Sequence, residues 1–296
     1  MTQTPKIGVV IMPTIFASAW LSALAHAAKD VGWRAFKAAA PQPAGDAPAI
    51  VIFRDLSEIA LHPTIDRWIV IGSSDLEPLL AGALVRNPDA GRATRSATAA
   101  LALYEVIAPV AERVIEADAA CLTVPGLGDV RRDPEAGVEP RPQIPEAARR
   151  AVAMLERPLG SRVGVWGPEV MSFTRGQDPE GGSADIDLTG RTRILAHGPH
   201  LTLPAGAWEC VVRLAVMPDD EAKLMFEWGS GEDVHRAHTV MIRPGEYEVA
   251  LEHSWSKPQA VEIRIWAERG HFSGSVRFHE ATVRWLAQAP GQVPTP

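Results

Sequence analysis

Residues 208–216 read WECVVRLAV, and this stretch decides how the second half of the chain folds. Every second residue of it, beginning with Trp208 and Cys210, is apolar, whereas Glu209 and Arg213 fall between them. Successive side chains of a β-strand point to opposite faces, so the alternation indicates a strand with one face in a core. The stretch therefore predicts a sheet that packs on one side.

The same period-two alternation recurs along the rest of the second half. It is clearest in three further segments, Leu224–Trp228, Tyr247–Leu251 and Val261–Trp266. The segments are joined by Pro-Ala-Gly, Gly-Ser-Gly, Pro-Gly and Arg-Gly sequences, which favour turns. Several short strands with such spacing predict an all-β C-terminal domain over residues 161–290, an antiparallel β-sandwich of the jelly-roll type.

The first half of the chain has a different rhythm. KIGVVIM, APAIVIF and RWIVIG are continuous apolar runs, typical of parallel strands that are buried on both faces, and helical stretches separate them. This alternation predicts a layered, Rossmann-like α/β domain over residues 1–125. Residues 126–160 are rich in Pro and Gly and predict a connector that ends in a short helix.

Composition excludes several classes of function. The net charge is −7 and Lys and Arg form no cluster, which argues against nucleic acid as a partner. The two cysteines, Cys121 and Cys210, are too few for a disulfide framework. No segment reaches the roughly 20 uninterrupted apolar residues of a membrane span.

The N-terminus allows two interpretations. Ala25-His26-Ala27 follows an apolar stretch and has the form of a signal-peptidase site. The interpretation we favour is a buried strand at Ile7–Met12, a turn at Pro13 and a helix to about Val31. Because the α/β rhythm continues smoothly after this helix, we expect a cytoplasmic protein.

Aromatic residues suggest the ligand class. Six of the nine tryptophans and seven of the nine histidines lie in the second half. Strand alternation places Trp266 beside Glu262 and Arg264, on the polar side of its strand, and an indole next to hydrogen-bonding groups is suited to stack on a sugar ring. Trp255 and Trp285 lie near strand ends, where loops gather. These five residues are the candidate carbohydrate site, although a place in the core is the alternative for each indole.

Histidines and acidic turns are the candidate metal ligands of the second half. His197 and His200, like His235 and His238, are three residues apart, and residues at that spacing in a strand point to opposite faces. The sequence therefore predicts no metal site at these pairs and no cofactor. Calcium is the weaker alternative, with oxygen ligands from Asp185 and Asp187 or from Asp219, Asp220 and Glu221.

The turn after the third apolar run is the candidate site of the first domain. Gly72, Ser73, Ser74 and Asp75 follow a predicted strand and precede a predicted helix, so they could hold an anion at the helix N-terminus. Asp75 and Asp55 are candidate acid–base groups. No glycine-rich phosphate fingerprint and no complete catalytic signature is present in the sequence.

The second half resembles a known family. DIDLTGRTRILAHGPHLTLPAGAWECVVRLAV, GEYEVALEHSW and GHFSGSVRFHEATVRW resemble the jelly-roll carbohydrate-binding modules, over roughly residues 183–287. The segment is also similar to domains appended to glycosyltransferases and other surface-polysaccharide proteins of alphaproteobacteria. The resemblance implies a non-catalytic module that binds a surface glycan or its precursor.

Three functions follow as hypotheses. The leading one is a carbohydrate-binding protein whose α/β domain is a scaffold or a partner-binding module. The second is a glycan-building or glycan-modifying enzyme that binds a nucleotide-sugar near Gly72–Asp75 and uses the sandwich as an accessory domain. The third is a structural assembly protein whose sandwich edge and exposed indoles contact other proteins.

Overall fold

A computed structural model describes residues 5–40, 47–54, 56–65, 67–134, 140–174 and 182–287. The chain divides into two compact units. The described residues of Met1–Pro88 and Ser96–Ile144 form the first unit, and those of Asp89–Arg95 and Pro145–Pro296 form the second. The division thus falls after Ile144, inside the segment that was predicted to be a connector.

The first unit is built on a parallel sheet. Its strands are β1 (Lys6–Ile11), β2 (Arg34–Lys37), β3 (Ala49–Phe53), β4 (Arg67–Gly72), β5 (Arg113–Glu116), β6 (Cys121–Val124) and β7 (Gly128–Arg131). The helices of this part of the chain are α1 (Ala17–Asp30), α2 (Leu56–Ile59), α3 (Leu76–Arg86) and α4 (Ala90–Ile107), followed by a 3-10 turn at Ala108–Val110. The first five strands form one sheet in the order β2-β3-β1-β4-β5, and every pairing is parallel.

The continuous apolar runs explain this sheet. All five residues of β3 are buried, and β1 and β4 are buried from their second residue onward. On one face, Trp20 and Leu24 of α1 complete the core, and the Trp20 indole N–H donates to the carbonyl of Ala117 at 2.8 Å. The segment that allowed a signal-peptide interpretation therefore supplies β1 and α1 here. Among the described residues, no helix has both the length and the apolarity to cross a bilayer.

β6 pairs with β7 in a hairpin, and β7 is a strand that the sequence does not predict. β7 lies within residues 126–160, which were predicted to be a turn-rich connector. Leu122, Val124 and Val130 are buried in the same core as α1. Three inward apolar residues on two four-residue strands are a weak pattern, because so short an alternation also occurs in loops.

The second unit is an antiparallel β-sandwich. It begins with α5 (Glu146–Val152) and contains 3-10 turns at Ala153–Leu155 and Pro168–Val170. Its strands are β8 (Gly164–Trp166), β9 (Ser172–Phe173), β10 (Ala184–Asp187), β11 (Arg193–Leu203), β12 (Gly206–Pro218), β13 (Ala222–Ser230), β14 (Asp233–Met241), β15 (Gly245–Trp255), β16 (Gln259–Ala267) and β17 (Gly274–Ala287). One sheet has the order β10-β17-β12-β15, with β8 also on β17, and the other has the order β14-β13-β16-β11-β9.

Large aromatic side chains fill the space between the two sheets. Trp208, Trp228 and Phe278 are fully buried, and so are the alternate residues of β12. The indoles of Trp166 and Trp228 come from different sheets, and their centroids lie 5.5 Å apart. The period-two alternation thus predicted the inward faces correctly, which confirms the β-sandwich.

Helix α5 closes one side of this core. Ala148, Ala151 and Val152 are buried, and the carbonyl of Ala151 accepts a hydrogen bond from the Trp166 indole at 3.0 Å. The side chain of Met154 packs against Gly164 so closely that a Cβ there would lie 2.3 Å from the sulfur. The helix therefore belongs to the fold of the second unit, although it lies in the predicted connector.

We expect a fragment of residues 145–296 to unfold in one cooperative, β-rich transition. A fragment that starts at residue 160 should be less stable by more than about 3 kcal/mol, because it loses the buried side chains of α5 and the acceptor of the Trp166 indole. Urea unfolding followed by circular dichroism measures both values. Equal stability of the two fragments would contradict the role of α5.

Candidate ligand-binding face

One surface of the second unit collects charged, aromatic and imidazole side chains. It is the outer side of the sheet β14-β13-β16-β11-β9, and we call it the polar face. Its defining residues are Arg236 of β14, Glu227 of β13, and Glu262, Arg264 and Trp266 of β16. Their neighbours along the strands, among them Phe226, Trp228, Ile263 and Ile265, point into the core.

The strand register places residues of the polar face side by side in rows that run across the strands. Glu227 lies opposite Arg236 on one side and opposite Arg264 on the other, and Arg264 in turn lies opposite His197 of β11. Charges of opposite sign therefore alternate across three strands, and the imidazole of His197 ends the row on the fourth. Directly opposed charges of opposite sign stabilise a sheet, so this row supports the register as well as the surface.

Glu227 is the centre of the network. The residue is only 5% exposed, and its side chain accepts hydrogen bonds from Arg236 Nε at 2.8 Å, from Trp266 Nε1 at 3.0 Å and from Arg264 Nη1 at 3.3 Å. Burial raises the pKa of this carboxyl, but the three donors outweigh burial, and the pKa lies below its usual value. The sequence prediction missed Glu227, although its position between the inward Phe226 and Trp228 placed it on this face.

Glu262 is also buried, and this corrects its predicted role. With only 7% of its side chain exposed, Glu262 offers a bulky ligand such as a sugar no open contact surface. Its Oε1 accepts from Arg264 Nε at 2.6 Å, and its Oε2 lies 3.0 Å from His200 Nε2. Burial raises the pKa of Glu262, but His200 and Arg264 outweigh it and the net shift is downward. Glu262 therefore orients the groups around it.

Trp266 is the indole of the polar face. It is half-buried, lies opposite Met225 of β13 and Ile194 of β11, and holds its N–H on Glu227. The prediction that it shares the polar side with Glu262 and Arg264 is confirmed. Its fixed N–H and partly exposed ring give the face a rigid aromatic surface.

Trp255 and Trp285 do not lie on the polar face. Trp255 is 4% exposed, stacks on Trp208 with ring centroids 6.4 Å apart, and donates its N–H to the carbonyl of Pro204. The predicted ligand contact of Trp255 is therefore wrong. β15 runs as far as Trp255, so the inward alternation of Leu251 continues to it.

Trp285 packs at the end of the sandwich. Its ring meets Trp208 edge to face at 5.3 Å and lies on Gly206, where a Cβ would come within 1.9 Å of it. Gly206 has φ +151°, which also favours glycine. Trp285 is half-buried, but it belongs to the sheet of β12 and β17, so the structure does not bring it to Trp266.

Three of the five acidic residues that could have held calcium, Asp185, Asp220 and Glu221, contact arginines instead. Asp185 accepts two hydrogen bonds from Arg277, at 2.7 and 3.1 Å, and this guanidinium holds the pKa of Asp185 below its usual value. Asp187 accepts from the backbone N–H of Thr189. Asp220 and Glu221 both contact Arg269. A carboxylate that is neutralised by a guanidinium is a poor calcium ligand.

The histidine pairs behave differently from each other. His235 lies 2.6 Å from the carbonyl of Glu252, whereas His238 lies 2.8 Å from Glu268. These two contact separate groups, as their strand spacing predicts. His197 and His200 both lie next to Glu262, at 3.6 and 3.0 Å from its Oε2. The prediction that this second pair points to opposite faces is wrong, because the register of β11 shifts between Pro199 and Leu201.

The first unit has a cavity of about 340 Å³ where β1, β4 and β5 end. Ser73 and Asp75 line it, as the strand–turn–helix pattern indicates, whereas Gly72 abuts Met12 and Ser74 is exposed outside the lining. Asp75 is the N-cap residue of α3, although its side chain makes no capping hydrogen bond. Asp55 lies outside the described residues.

Charge argues against an anion in this cavity. Three carboxylates, those of Asp75, Glu116 and Asp118, line it together with one guanidinium. That guanidinium, from Arg141, is paired with Glu77 at 2.9 Å. The backbone N–H of Asp75 is taken by the Ser73 hydroxyl at 3.1 Å. Glu116 and Asp75, after the larger effect of burial, also raise the pKa of the nearby Tyr104.

Comparison with known proteins gives structural neighbours alone. No protein-family model and no curated protein matches the chain. Similar solved structures include the CBM22-1 xylan-binding domain of Paenibacillus barcinonensis Xyn10C, at 14% identity over 42% of this chain and 87% of that one, with a TM-score of 0.28. TmCBM61, in complex with beta-1,4-galactotriose, is 10% identical over 47% and 96%, with a TM-score of 0.28. The C-terminal CBM6 of LamC from Zobellia galactanivorans is 11% identical over 42% and 99%, with a TM-score of 0.31.

Two tryptophans allow a matched test of the polar face. Trp266→Ala should lower the free energy of unfolding by about 1–3 kcal/mol, because it removes a hydrogen bond to a buried carboxylate and an indole ring that is only partly buried. Trp228→Ala should lower it by about 3–5 kcal/mol, because Trp228 is fully buried. Urea unfolding curves measure both, and an equal loss would place Trp266 in the core.

The two buried carboxylates predict an acid-sensitive second unit. The pKa values of Glu227 and Glu262 are lowered in the folded state. Their contribution to the free energy of unfolding is therefore complete above the unfolded pKa of about 4.3, and it is lost as the pH falls through the pKa values of the folded state. In Glu227→Gln, the free energy of unfolding should therefore fall less steeply on the acid limb, the part of its pH dependence below about pH 4. Glu248→Gln, at an exposed strand position, should leave that limb unchanged. An unaltered limb in Glu227→Gln would contradict the role of Glu227.

Proposed function

We propose that the second unit binds carbohydrate on its polar face, with Trp266 as the surface on which a sugar ring stacks. The observation that carries this proposal is the half-buried indole, fixed by its N–H on Glu227 and set among exposed hydrogen-bonding side chains. An apolar ring next to hydrogen-bonding groups matches the two kinds of surface that a sugar offers, its C–H face and its hydroxyls.

The charge of the face favours a neutral sugar. Arg236 and Arg264 are balanced by Glu227 and Glu262, which they contact directly. Both carboxylates are buried, whereas the Arg236 side chain is half-exposed. A balanced network presents hydrogen-bond donors without a strong field of one sign, so we expect hydroxyl-rich oligosaccharides to bind better than phosphates or polyanions.

Three side chains around Trp266 are available to bind hydroxyl groups. The side chains of Arg236, His197 and His238 are 51%, 40% and 60% exposed. Guanidinium and imidazole groups donate hydrogen bonds, and a neutral imidazole also accepts one. A ligand on Trp266 would therefore meet donors from β14 and from β11. The finer assignment, a bacterial surface glycan or its precursor met in the cytoplasm, is part of this proposal.

The enzyme hypothesis requires a site in the first unit instead of the polar face. A catalytic role would use the acidic cavity of the first unit, where Asp75, Glu116 and Asp118 provide carboxylates. Its three carboxylates make it a poor site for the diphosphate of a nucleotide-sugar. For this reason, we propose a scaffold or partner-binding role for the first unit.

A panel of neutral and anionic oligosaccharides, followed by calorimetry on the strongest ligand, tests the proposal. Trp266→Ala should weaken binding by roughly 1–3 kcal/mol, about 5- to 150-fold in Kd, because it removes the stacking surface. Trp266→Phe should retain part of the affinity, since it keeps an aromatic ring and loses the N–H.

Phe272→Ala is the matched control. This phenylalanine is 99% exposed in the turn between β16 and β17, so its removal changes exposed aromatic surface without changing the polar face. It should bind the ligand as the wild type does. Binding that Phe272→Ala abolishes and Trp266→Ala preserves would refute the proposed site. A nucleotide-sugar that stabilises the protein when no oligosaccharide binds would favour the enzyme hypothesis.

A further inference from the structure

Three side chains on the polar face carry donor atoms that converge on one point. They are His197 and His200 of β11 and Glu262 of β16. Their nearest ligand atoms all lie within 4.8 Å of one another, and two imidazoles with one carboxylate are a donor set that transition metals prefer. We propose that His197, His200 and Glu262 form a binding site for a borderline divalent transition-metal ion, of which Zn²⁺ is the best match.

The local backbone explains how the two histidines meet. His197 lies opposite Arg264, Pro199 lies opposite Glu262, and Leu201 lies opposite Val261. His200 is therefore an extra residue without a partner, and its φ of 62° lies in the left-handed region. A bulge of this kind turns a side chain that regular alternation would send to the other face. Leu201 returns to the core, while His197 and His200 share the outer face.

The distances suit a tetrahedral ion. Nδ1 of His197 and Nε2 of His200 lie 3.6 and 3.0 Å from Oε2 of Glu262. Two ligands bound to zinc at 2.0–2.1 Å with a tetrahedral angle are about 3.3 Å apart, between these two values. The two nitrogens lie within 4.8 Å of each other, so side-chain rotations that bring them closer would place all three donors on one ion. Three protein ligands leave a fourth position for water or another ligand.

The Glu262 carboxylate supplies an independent reason. The whole residue is buried, and Oε2 accepts no hydrogen bond of normal geometry, so the imidazoles of His200 and His197, at 3.0 and 3.6 Å, compensate its charge only in part. A buried charged oxygen without a hydrogen bond is costly, and a bound cation would remove that cost. Arg264 holds the other oxygen at 2.6 Å and so turns Oε2 towards the imidazoles. Such a contact orients a ligand group as outer partners do in known metal sites.

The site is open to solvent and contains the wrong donors for calcium. The side chains of His197 and His200 are 40% and 43% exposed, so an ion can reach them. Calcium takes six to eight oxygen ligands, and this cluster offers one carboxylate. The Arg264 guanidinium contacts the Glu262 carboxylate, and Glu227 also pairs with this guanidinium. Zinc or cobalt is therefore expected to bind, whereas calcium is not.

Calorimetric titration of the untagged, EDTA-treated full chain with ZnCl₂ near neutral pH tests the proposal. One zinc ion per chain should bind, and CaCl₂ should give no saturable signal. His197→Ala and His200→Ala should each weaken zinc binding at least about tenfold, because each removes one of three ligands. Co²⁺ should give the visible absorption of a four-coordinate site in the wild type and lose it in both variants.

His238→Ala is the matched control. His238 is also exposed on this sheet and lies 2.8 Å from a carboxylate, that of Glu268, but no third donor accompanies it within the described parts of the chain. It should bind zinc as the wild type does. The melting temperatures of all variants in EDTA show whether each is folded. Absence of saturable zinc binding, or stoichiometric binding that His197→Ala and His200→Ala both retain, would overturn the proposal. No carbohydrate is present, so the result is independent of the proposed function.

Discussion

The polar face depends on the Glu227 carboxylate. A buried anion is tolerated only when it is paired and hydrogen-bonded, and Glu227 meets this requirement with donors from Arg236, Arg264 and Trp266. These donors come from β14 and β16, the two strands on either side of β13. One carboxylate thus fixes the indole ring, two guanidiniums and the register of three strands. Removing one donor would leave part of that charge uncompensated, so the network acts as a unit.

Regular alternation made much of the fold predictable. In β12 and β16 every inward residue could be identified from a period of two, and Trp266 was placed on the polar side for the same reason. The continuous apolar runs likewise marked β1, β3 and β4. The cavity beyond the carboxyl end of β4 was also predictable, because loops gather where parallel strands end.

Residues at the ends of regular elements were harder to predict. The sequence places Trp255 near a strand end with access to a ligand, but β15 continues to it and buries it against Trp208. The burial of Glu262 and Glu227 depends on partners from other strands, and pairing order is not encoded in the alternation of a single strand. The sequence therefore predicts that a charged residue on the polar side of a strand is exposed, even where side chains of neighbouring strands bury it.

The sharpest difference between sequence and structure comes from one extra residue in β11. A spacing of three in a regular strand separates two side chains to opposite faces, and that rule excluded His197 and His200 as a pair. His200 is a bulge residue without a partner in the neighbouring strand, so regular alternation does not set its direction. The two imidazoles therefore lie together beside Glu262. A bulge shifts the pairing register and turns one side chain, while regular residues on either side of it continue to face the core. The same insertion therefore leaves Leu201 buried and concentrates nitrogen donors on a face that is otherwise built from arginine, glutamate and tryptophan. The chemistry of that face is set by this irregularity as much as by the alternation around it.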